Sequence, residues 1–230
     1  MLTDLRRRIS DYERRLRTSF GDDISTPEAR KRARRHYLWM DHGILRGMWH
    51  NFHKVAEGAY RSNQPSPARL RQFRDMGIRT IINLRGPSAF SPYLFEREAC
   101  EELGLTLIDA HVNGGSPSMR SQYLYLLDAF DRAERPFVMH CKSGADRAGL
   151  ASVLYLLHVE RRPLAEARRQ LHWRYLHLRN THHGILDTLI DLYDAGSDGG
   201  AKPIRDWFAE DYDPEALAAA HRAPRRRAPA

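Results

Sequence analysis

The sequence is poor in residues on which many protein sites are built. It has two cysteines, Cys100 and Cys141, in 230 residues. That is too few for a disulfide framework or a four-cysteine zinc site. No apolar run approaches the roughly 18 residues of a membrane-spanning helix, and the first residues lack the apolar core of a secretory signal. These absences favour the reducing cytoplasm as the location.

Two common site motifs are also missing. No His-Glu-x-x-His pattern is present, and no Gly-x4-Gly-Lys-Ser/Thr phosphate loop of nucleotide-binding proteins. Histidines crowd two regions, residues 36–53 and 172–183, without the spacing of metal ligands. We expect surface or packing roles for them, and we expect neither a metal ion nor a cofactor.

Lysine is scarce, yet the chain is strongly basic. Only four of the 37 basic residues are Lys, so 33 are Arg, and the net charge is +8. Such a charge attracts polyanions, namely phosphorylated substrates, anionic membranes or nucleic acid. No helix-turn-helix or RNA-binding motif is present, so we expect no nucleic-acid partner.

Alternating strand and helix patterns from about residue 55 predict an α/β fold. Such alternation is typical of βαβ units, with a mostly parallel central sheet between two layers of helices. The pattern divides the chain into a basic, amphipathic helical extension (1–50), a main domain (51–200), and a C-terminal helix with a basic tail (201–230). Residues 1–36 hold eleven Lys or Arg against six Asp or Glu, a net charge of +5.

Local patterns define several elements of this fold. The spacing of apolar residues predicts helices over 2–18 and 27–40, the second capped by Ser25 or Thr26, and a continuous helix over 163–175. The stretch KVAEGAYRSNQP, residues 54–65, predicts a single strand that ends in a turn. Ser66, Pro67 and Gly77 mark the start and the end of the following helix.

The stretch HCKSGADR, residues 140–147, carries the chemistry. Cys141 ends an apolar strand, and a short loop leads from it directly into a helix. Backbone N–H groups of such a loop and helix start can bind an anion, and Gly144 permits the tight curl. Arg147 adds a planar fork for two phosphate oxygens. The same positive field favours the thiolate, so the loop is suited to bind a phosphoryl group and attack its phosphorus.

This stretch resembles the HC-x5-R signature of cysteine-dependent protein tyrosine and dual-specificity phosphatases. The resemblance extends over about 55–195, where AYRSNQPSPARLRQFRDMGIRTIINLRG is similar to atypical dual-specificity members from bacteria and fungi. It implies a phosphatase domain over 51–200 and a phosphocysteine intermediate. The implied roles are nucleophile for Cys141, phosphate clamp for Arg147, loop support for His140, phosphate cradle for Lys142, Ser143, Gly144, Ala145 and Asp146, and pocket rim for Arg85.

The sequence departs from the family pattern at two points. Ala148 stands where the family usually has Ser or Thr, whose hydroxyl assists the thiolate as leaving group, so we expect slower hydrolysis of the phosphoenzyme. The general acid is also ambiguous. Asp109 lies 32 residues before Cys141, as the family's acid does, but falls in a predicted strand. Asp146 matches an acid of myotubularin-type lipid phosphatases, and it is the preferred candidate if its carboxyl is protonated beside the phosphate.

Several functions remain open from sequence alone. The resemblance favours a protein tyrosine or dual-specificity phosphatase. The Lys142 and Asp146 cradle and the basic N-terminal helices suggest an alternative, a lipid phosphatase acting on a phosphoinositide or phosphatidylglycerophosphate, with peripheral contact to an anionic membrane. Ala148 and the ambiguous acid suggest a third, a phosphate-binding pseudophosphatase without turnover.

Overall fold

The computed structural model of the chain describes residues 21–40 and 50–223. These residues form two compact units. The first contains the described residues up to 50 together with 65–79 and 87–107, and the second contains 51–64, 80–86 and 108–223. The predicted helix over 2–18 and most of the predicted tail lie outside the described residues.

Five strands among the described residues form one sheet. Its strands are β1 (His53–Ala56), β2 (Ala59–Asn63), β3 (Thr80–Asn83), β4 (Thr106–Asp109) and β5 (Phe137–Cys141), in the order β1-β2-β5-β3-β4. The central strand β5 is parallel to both neighbours, β2 and β3, whereas β1 and β2 are antiparallel. All five residues of β5 are buried, as expected for a strand covered on both faces.

Nine α-helices are described besides this sheet, and the mixture of helices with a mostly parallel sheet confirms the predicted α/β class. They are α1 (Pro27–Arg35), α2 (Pro67–Asp75), α3 (Ser91–Leu103), α4 (Arg120–Arg132), α5 (Asp146–His158), α6 (Leu164–Ala167), α7 (Ile185–Gly196), α8 (Ile204–Glu210) and α9 (Pro214–Arg222). None of the helices in the described ranges is both long and apolar enough to cross a bilayer.

Within the first unit, α1 packs against α3. Arg30 forms an ion pair with Glu98, and its guanidinium lies 5.7 Å from the centre of the Phe95 ring. Just after the end of α1, His36 Nδ1 lies 2.8 Å from Ser91 Oγ. The basic helix that begins after Thr26 therefore has a packed face, and Arg30 is one of the groups that fix it.

Within the second unit, α5 is the central helix. Every residue from Ala148 to His158 is buried, which explains why this stretch is apolar on all sides rather than on one stripe. Phe137 of β5 and Phe130 of α4 both contact the Tyr155 ring edge-on, at 5.3 and 5.4 Å between ring centres. This packing fixes the C-terminal part of α5 against the start of β5.

Three predicted elements differ from the structure. The stretch 54–65 is part of a hairpin rather than one strand, because Gly58, at φ +70°, turns the chain between β1 and β2. The helix predicted over 27–40 changes at His36 into a wider turn. The continuous helix over 163–175 is wrong: α6 ends at Ala167, and two short 3₁₀ turns separated by an extended His172 follow it.

Candidate active site

The segment after β5 forms the candidate site. Cys141 is the last residue of β5 and is buried, and His140 before it is fully buried. His140 accepts a backbone hydrogen bond from Leu84 at 2.9 Å, and Asn63 lies opposite Cys141 in the sheet register. The sulfur atom is thus fixed by a strand that is held on both edges.

Polar groups from elsewhere in the second unit bind all four carbonyls of the loop that follows. The donors are two side chains and one backbone amide, and none of them belongs to the loop itself. Gln64 N donates to Lys142 O at 3.4 Å, Asn51 Nδ2 to Ser143 O at 3.1 Å, and Arg61 Nη2 to Gly144 O at 2.8 Å and Ala145 O at 2.9 Å.

This pattern sets the direction of the loop amides. In a trans peptide the N–H points opposite to the preceding C=O, so carbonyls held at 142–145 turn the N–H groups of 143–146 the other way. Successive amides aimed to one side form an anion-binding concavity. Ala145 N also lies 3.4 Å from Ser143 Oγ, a long and weak contact that an anion could replace.

Gly144 is required at its position for two reasons. Its φ is +74°, a region that side chains disfavour. A Cβ atom at this residue would also lie 2.7 Å from Asn63 N and from Ser62 C, so it would collide with the backbone of β2. The loop therefore fits against the sheet only without a side chain here.

Replacing Gly144 with Ala should displace the loop and lower the turnover of phosphate esters by about 10²-fold, because a shift of about 1 Å in a reacting group has that effect. The measurement is kcat with p-nitrophenyl phosphate, together with the free energy of unfolding in urea.

Gly104→Ala is the matched control for this change. Gly104 also has a positive φ, +66°, but its Cβ would have nothing within 4 Å. This variant should show only the backbone strain of about 1–2 kcal/mol, with kcat unchanged. Equal losses of turnover in the two variants would contradict the steric role of Gly144.

Arg61 is the central support of the loop. It is fully buried in β2, and besides the loop carbonyls its Nη1 reaches Gln170 O at 2.7 Å. Its guanidinium lies 4.2 Å from the centre of the Tyr175 ring. Burial lowers the pKa of Arg61 to about 10, although electrostatic interactions with Cys141, Tyr175 and Asp146 oppose this. Arg61 stays protonated at neutral pH and places a positive charge that interacts with Cys141.

Arg147 is placed to act on a ligand. It is half-buried in the first turn of α5. Its side chain passes close to Gly114, because a Cβ atom added to Gly114 would lie 3.4 Å from Arg147 Cγ. Among residues 21–40 and 50–223, no group forms an ion pair or a hydrogen bond with its guanidinium. A guanidinium without a carboxylate partner at the start of a helix is well suited to bind an oxyanion.

Asp146 is held by a chain of polar groups. Its Oδ1 lies 2.8 Å from His177 Nδ1, and His177 Nε2 lies 2.8 Å from Asp187 Oδ2. Burial alone would lower the pKa of His177, but the hydrogen bonds to Asp146 and Asp187 outweigh it and raise the pKa to about 9. At neutral pH the ring is therefore an imidazolium between two carboxylates.

The stability of the fold should depend on pH through His177. Its folded pKa, about 9, is above the ordinary value of 6.5. The contribution is therefore fully present below pH 6.5 and is lost as the pH rises through 9. We expect a loss of at most about 3 kcal/mol in the free energy of unfolding between pH 6.5 and 9.5. Urea unfolding at both pH values measures it, and His177→Gln should remove most of the difference.

The other predicted site residues lie around this centre. Asp109 is the last residue of β4, as its strand-like pattern indicated, and its Oδ1 accepts a hydrogen bond from Asn83 Nδ2 at 2.8 Å. Arg85 donates to the side chain of Gln64, whose backbone N–H binds the loop at Lys142. Arg85 is thus one residue removed from the loop.

Four supporting residues were missed by the sequence reasoning: Asn51, Arg61, Gln64 and His177. A signal was present for Arg61, because a charged residue in a buried strand needs partners. The other three are ordinary polar residues in sequence. Within the described part of the chain, no group of three or more His, Cys, Asp or Glu side chains is placed to hold a metal ion.

Comparison with known proteins identifies the fold. No protein-family model and no curated protein match the sequence. Among solved structures, TpbA of P. aeruginosa is 18% identical with a TM-score of 0.52 and covers 70% of this chain and 92% of its own. A TpbA variant in complex with pTyr is 17% identical with a TM-score of 0.52, covering 70% and 91%. Tk-PTP in its active form is 17% identical with a TM-score of 0.50, covering 63% and 99%.

These three structures match this chain over 63% to 70% of its length. At such identities the likeness establishes the fold. The chain therefore has the fold of the cysteine-dependent tyrosine and dual-specificity phosphatases, as the resemblance of its sequence predicted.

Proposed function

We propose that this protein is a phosphomonoester hydrolase with Cys141 as its nucleophile. The observation that carries the proposal is the half-buried Arg147, which has no partner among the described residues. It follows a loop whose four carbonyls all accept hydrogen bonds from groups outside the loop. Loop amides and guanidinium would hold the three phosphoryl oxygens opposite the sulfur atom.

The reaction has two steps. The Cys141 thiolate attacks phosphorus, the bond from phosphorus to the ester oxygen breaks, and the leaving alcohol takes a proton from a general acid. Water then attacks the phosphocysteine, the S–P bond breaks, and inorganic phosphate and the thiolate are released. Ala148 offers no hydroxyl to the departing sulfur, so the second step should be slow.

Trapping the intermediate tests this proposal. Mixing enzyme with p-nitrophenyl phosphate should give a burst of p-nitrophenol close to one equivalent, followed by slower turnover. Peptide mass spectrometry after a rapid quench should find one phosphoryl group on Cys141. A burst without turnover would support the pseudophosphatase, and phosphate on no residue would exclude a covalent mechanism.

Asp109 is the better candidate for the general acid. Asp146 accepts a hydrogen bond from a protonated His177, and an acceptor in an ion pair is poorly suited to donate a proton. This contact argues against the preference for Asp146 that the sequence suggested. We infer that Asp146 orders the start of α5 and that Asp109 protonates the leaving group.

Asp109→Asn should lower kcat by about 10²–10³-fold, because loss of a general acid has that effect. Asp146→Asn should lower the free energy of unfolding and reduce kcat by less than about tenfold. The reverse pattern would assign the acid to Asp146, and losses under about tenfold in both variants would exclude both residues.

The substrate proposal has two candidates. A phosphotyrosyl or dual-specificity phosphoprotein is supported by the fold, since the TpbA variant of the same fold holds pTyr. An anionic phospholipid is favoured by the surface beside the site, described next.

A further inference from the structure

The segment over residues 168–183, here called the basic rim, lies next to the loop. It holds four Arg and four His and no Asp or Glu. Asn51 Nδ2 donates to Tyr175 O of the rim at 3.0 Å and also to Ser143 O of the loop. His177 binds Asp146, and His183 Nδ1 lies 2.7 Å from Gly114 O. The rim is therefore tied to the same groups that shape the loop.

The outward side of the rim is apolar as well as basic. Tyr175 and His177 point inward and are buried. Between and beside them, Trp173 is 71% exposed, Leu176 52% and Leu178 56%. Three large apolar side chains exposed within six residues are unusual beside a polar site, and a Trp with two Leu among cations is typical of surfaces that enter the headgroup layer of a membrane.

The charges of the rim are partly free to meet an anionic surface. Arg168 and Arg179 form ion pairs with Asp191 at 3.1 and 2.7 Å. Arg169 and Arg174 form none with any residue that the structure describes, and both are exposed. The cations next to Trp173 can therefore attract anionic headgroups while the apolar side chains enter the bilayer.

We propose that the basic rim docks on the surface of an anionic phospholipid bilayer and that the phosphate cleaved at Cys141 belongs to a lipid headgroup in that bilayer. The inference rests on the proposed hydrolysis and names its substrate class. Because the rim is bound to the loop through Asn51 and Arg61, docking of its outer side would present the loop to phosphates at the membrane surface.

Vesicle binding tests the docking surface. The full chain should sediment with phosphatidylcholine vesicles that contain phosphatidylglycerol, and more weakly with phosphatidylcholine alone. The triple variant Trp173→Ser, Leu176→Asn, Leu178→Ser should bind the anionic vesicles at least about tenfold more weakly. Met76→Ser, which removes a side chain of equal exposure, 52%, in another unit, is the matched control.

A charge variant tests the other half of the surface. Arg174→Gln should weaken binding about threefold or more at low salt and less at high salt, because screening removes the attraction. Arg162→Gln, at an exposed residue outside the rim that pairs with Glu166, should have little effect. Unchanged binding of both rim variants, with circular dichroism like that of the parent protein, would overturn the docking proposal.

The substrate is tested separately. Phosphatidylglycerophosphate in anionic vesicles should be hydrolysed with a kcat/KM at least about tenfold above that for a phosphotyrosyl peptide, and the triple variant should lose most of this advantage. If the peptide is preferred, the lipid proposal is wrong. Turnover of soluble p-nitrophenyl phosphate separates the lipid inference from the hydrolase proposal. If the protein hydrolyses this soluble ester but not the lipid, only the lipid inference fails. If it hydrolyses neither, the hydrolase proposal fails as well.

Discussion

Replacing Cys141 with Ser should reduce the turnover of p-nitrophenyl phosphate by at least about 10⁴-fold, as expected when a covalent nucleophile is removed. A serine hydroxyl has nearly the size of the thiol but is not ionised at neutral pH, so it cannot attack phosphorus at a useful rate. Binding of inorganic phosphate, measured by calorimetry, should change by less than about tenfold. The groups proposed to bind it, the loop amides and Arg147, are still present in this variant.

Cys100→Ser is the control for this experiment. Cys100 is the other cysteine of the chain, also buried, and lies in α3 of the first unit. Its replacement should leave kcat within about twofold of the parent protein, once the folded fraction is corrected for. If the Cys141 variant retained more than about 1% of the parent turnover, sulfur would not be the nucleophile and the proposed function would fail.

Replacing Arg61 with Met should have the largest effect on the loop without touching the reacting atoms. The guanidinium makes four hydrogen bonds, to Gly144 O, Ala145 O and both oxygens of Gln170. Methionine fills similar space but leaves these buried acceptors without a donor, each at about 1–3 kcal/mol. We expect a loss of at least about 3 kcal/mol in the free energy of unfolding and about 10²-fold in kcat.

Two further variants separate the causes. Arg61→Lys keeps the positive charge, but a single ammonium lacks the planar fork that reaches the loop and Gln170 at once, so most of the loss should remain. Arg135→Met removes an exposed arginine that pairs with Glu160 at 3.3 Å, and it should cost under about 1 kcal/mol. If Arg61→Lys behaved like the parent protein, charge rather than hydrogen-bond geometry would support the loop.

The sequence was sufficient where structure is local. Ser66 caps α2 by accepting from Arg69 N at 3.2 Å, and Gly77 follows the helix at φ +85°, as predicted. The β-branched Thr80, Ile81 and Ile82 form a fully buried strand. The nucleophile loop was also readable, because its strand, glycine and helix are contiguous in sequence.

The sequence was insufficient where a distant residue decides the outcome. The helix predicted over 163–175 ends at Ala167, and beyond it Gln170 O accepts a hydrogen bond from Arg61, more than one hundred residues earlier. His172 then takes an extended conformation. Similarly, the sequence gives no sign that the Asp146 carboxylate is hydrogen-bonded to His177, 31 residues later. Apolar periodicity contains no information about such pairings.

The hydrogen bonds to the four loop carbonyls limit how far this protein can be shortened. The residues that supply or orient their donors are spread from Asn51 to Tyr175, and a fragment ending with α5 at His158 would keep Cys141 and Arg147 but lose Tyr175 and Gln170. Such a fragment would retain the whole HC-x5-R signature but lack the contacts that hold Arg61 and Asn51 in place behind the loop. The smallest active fragment must therefore extend beyond α5 and include the residues that Arg61 and Asn51 contact, Gln170 and Tyr175.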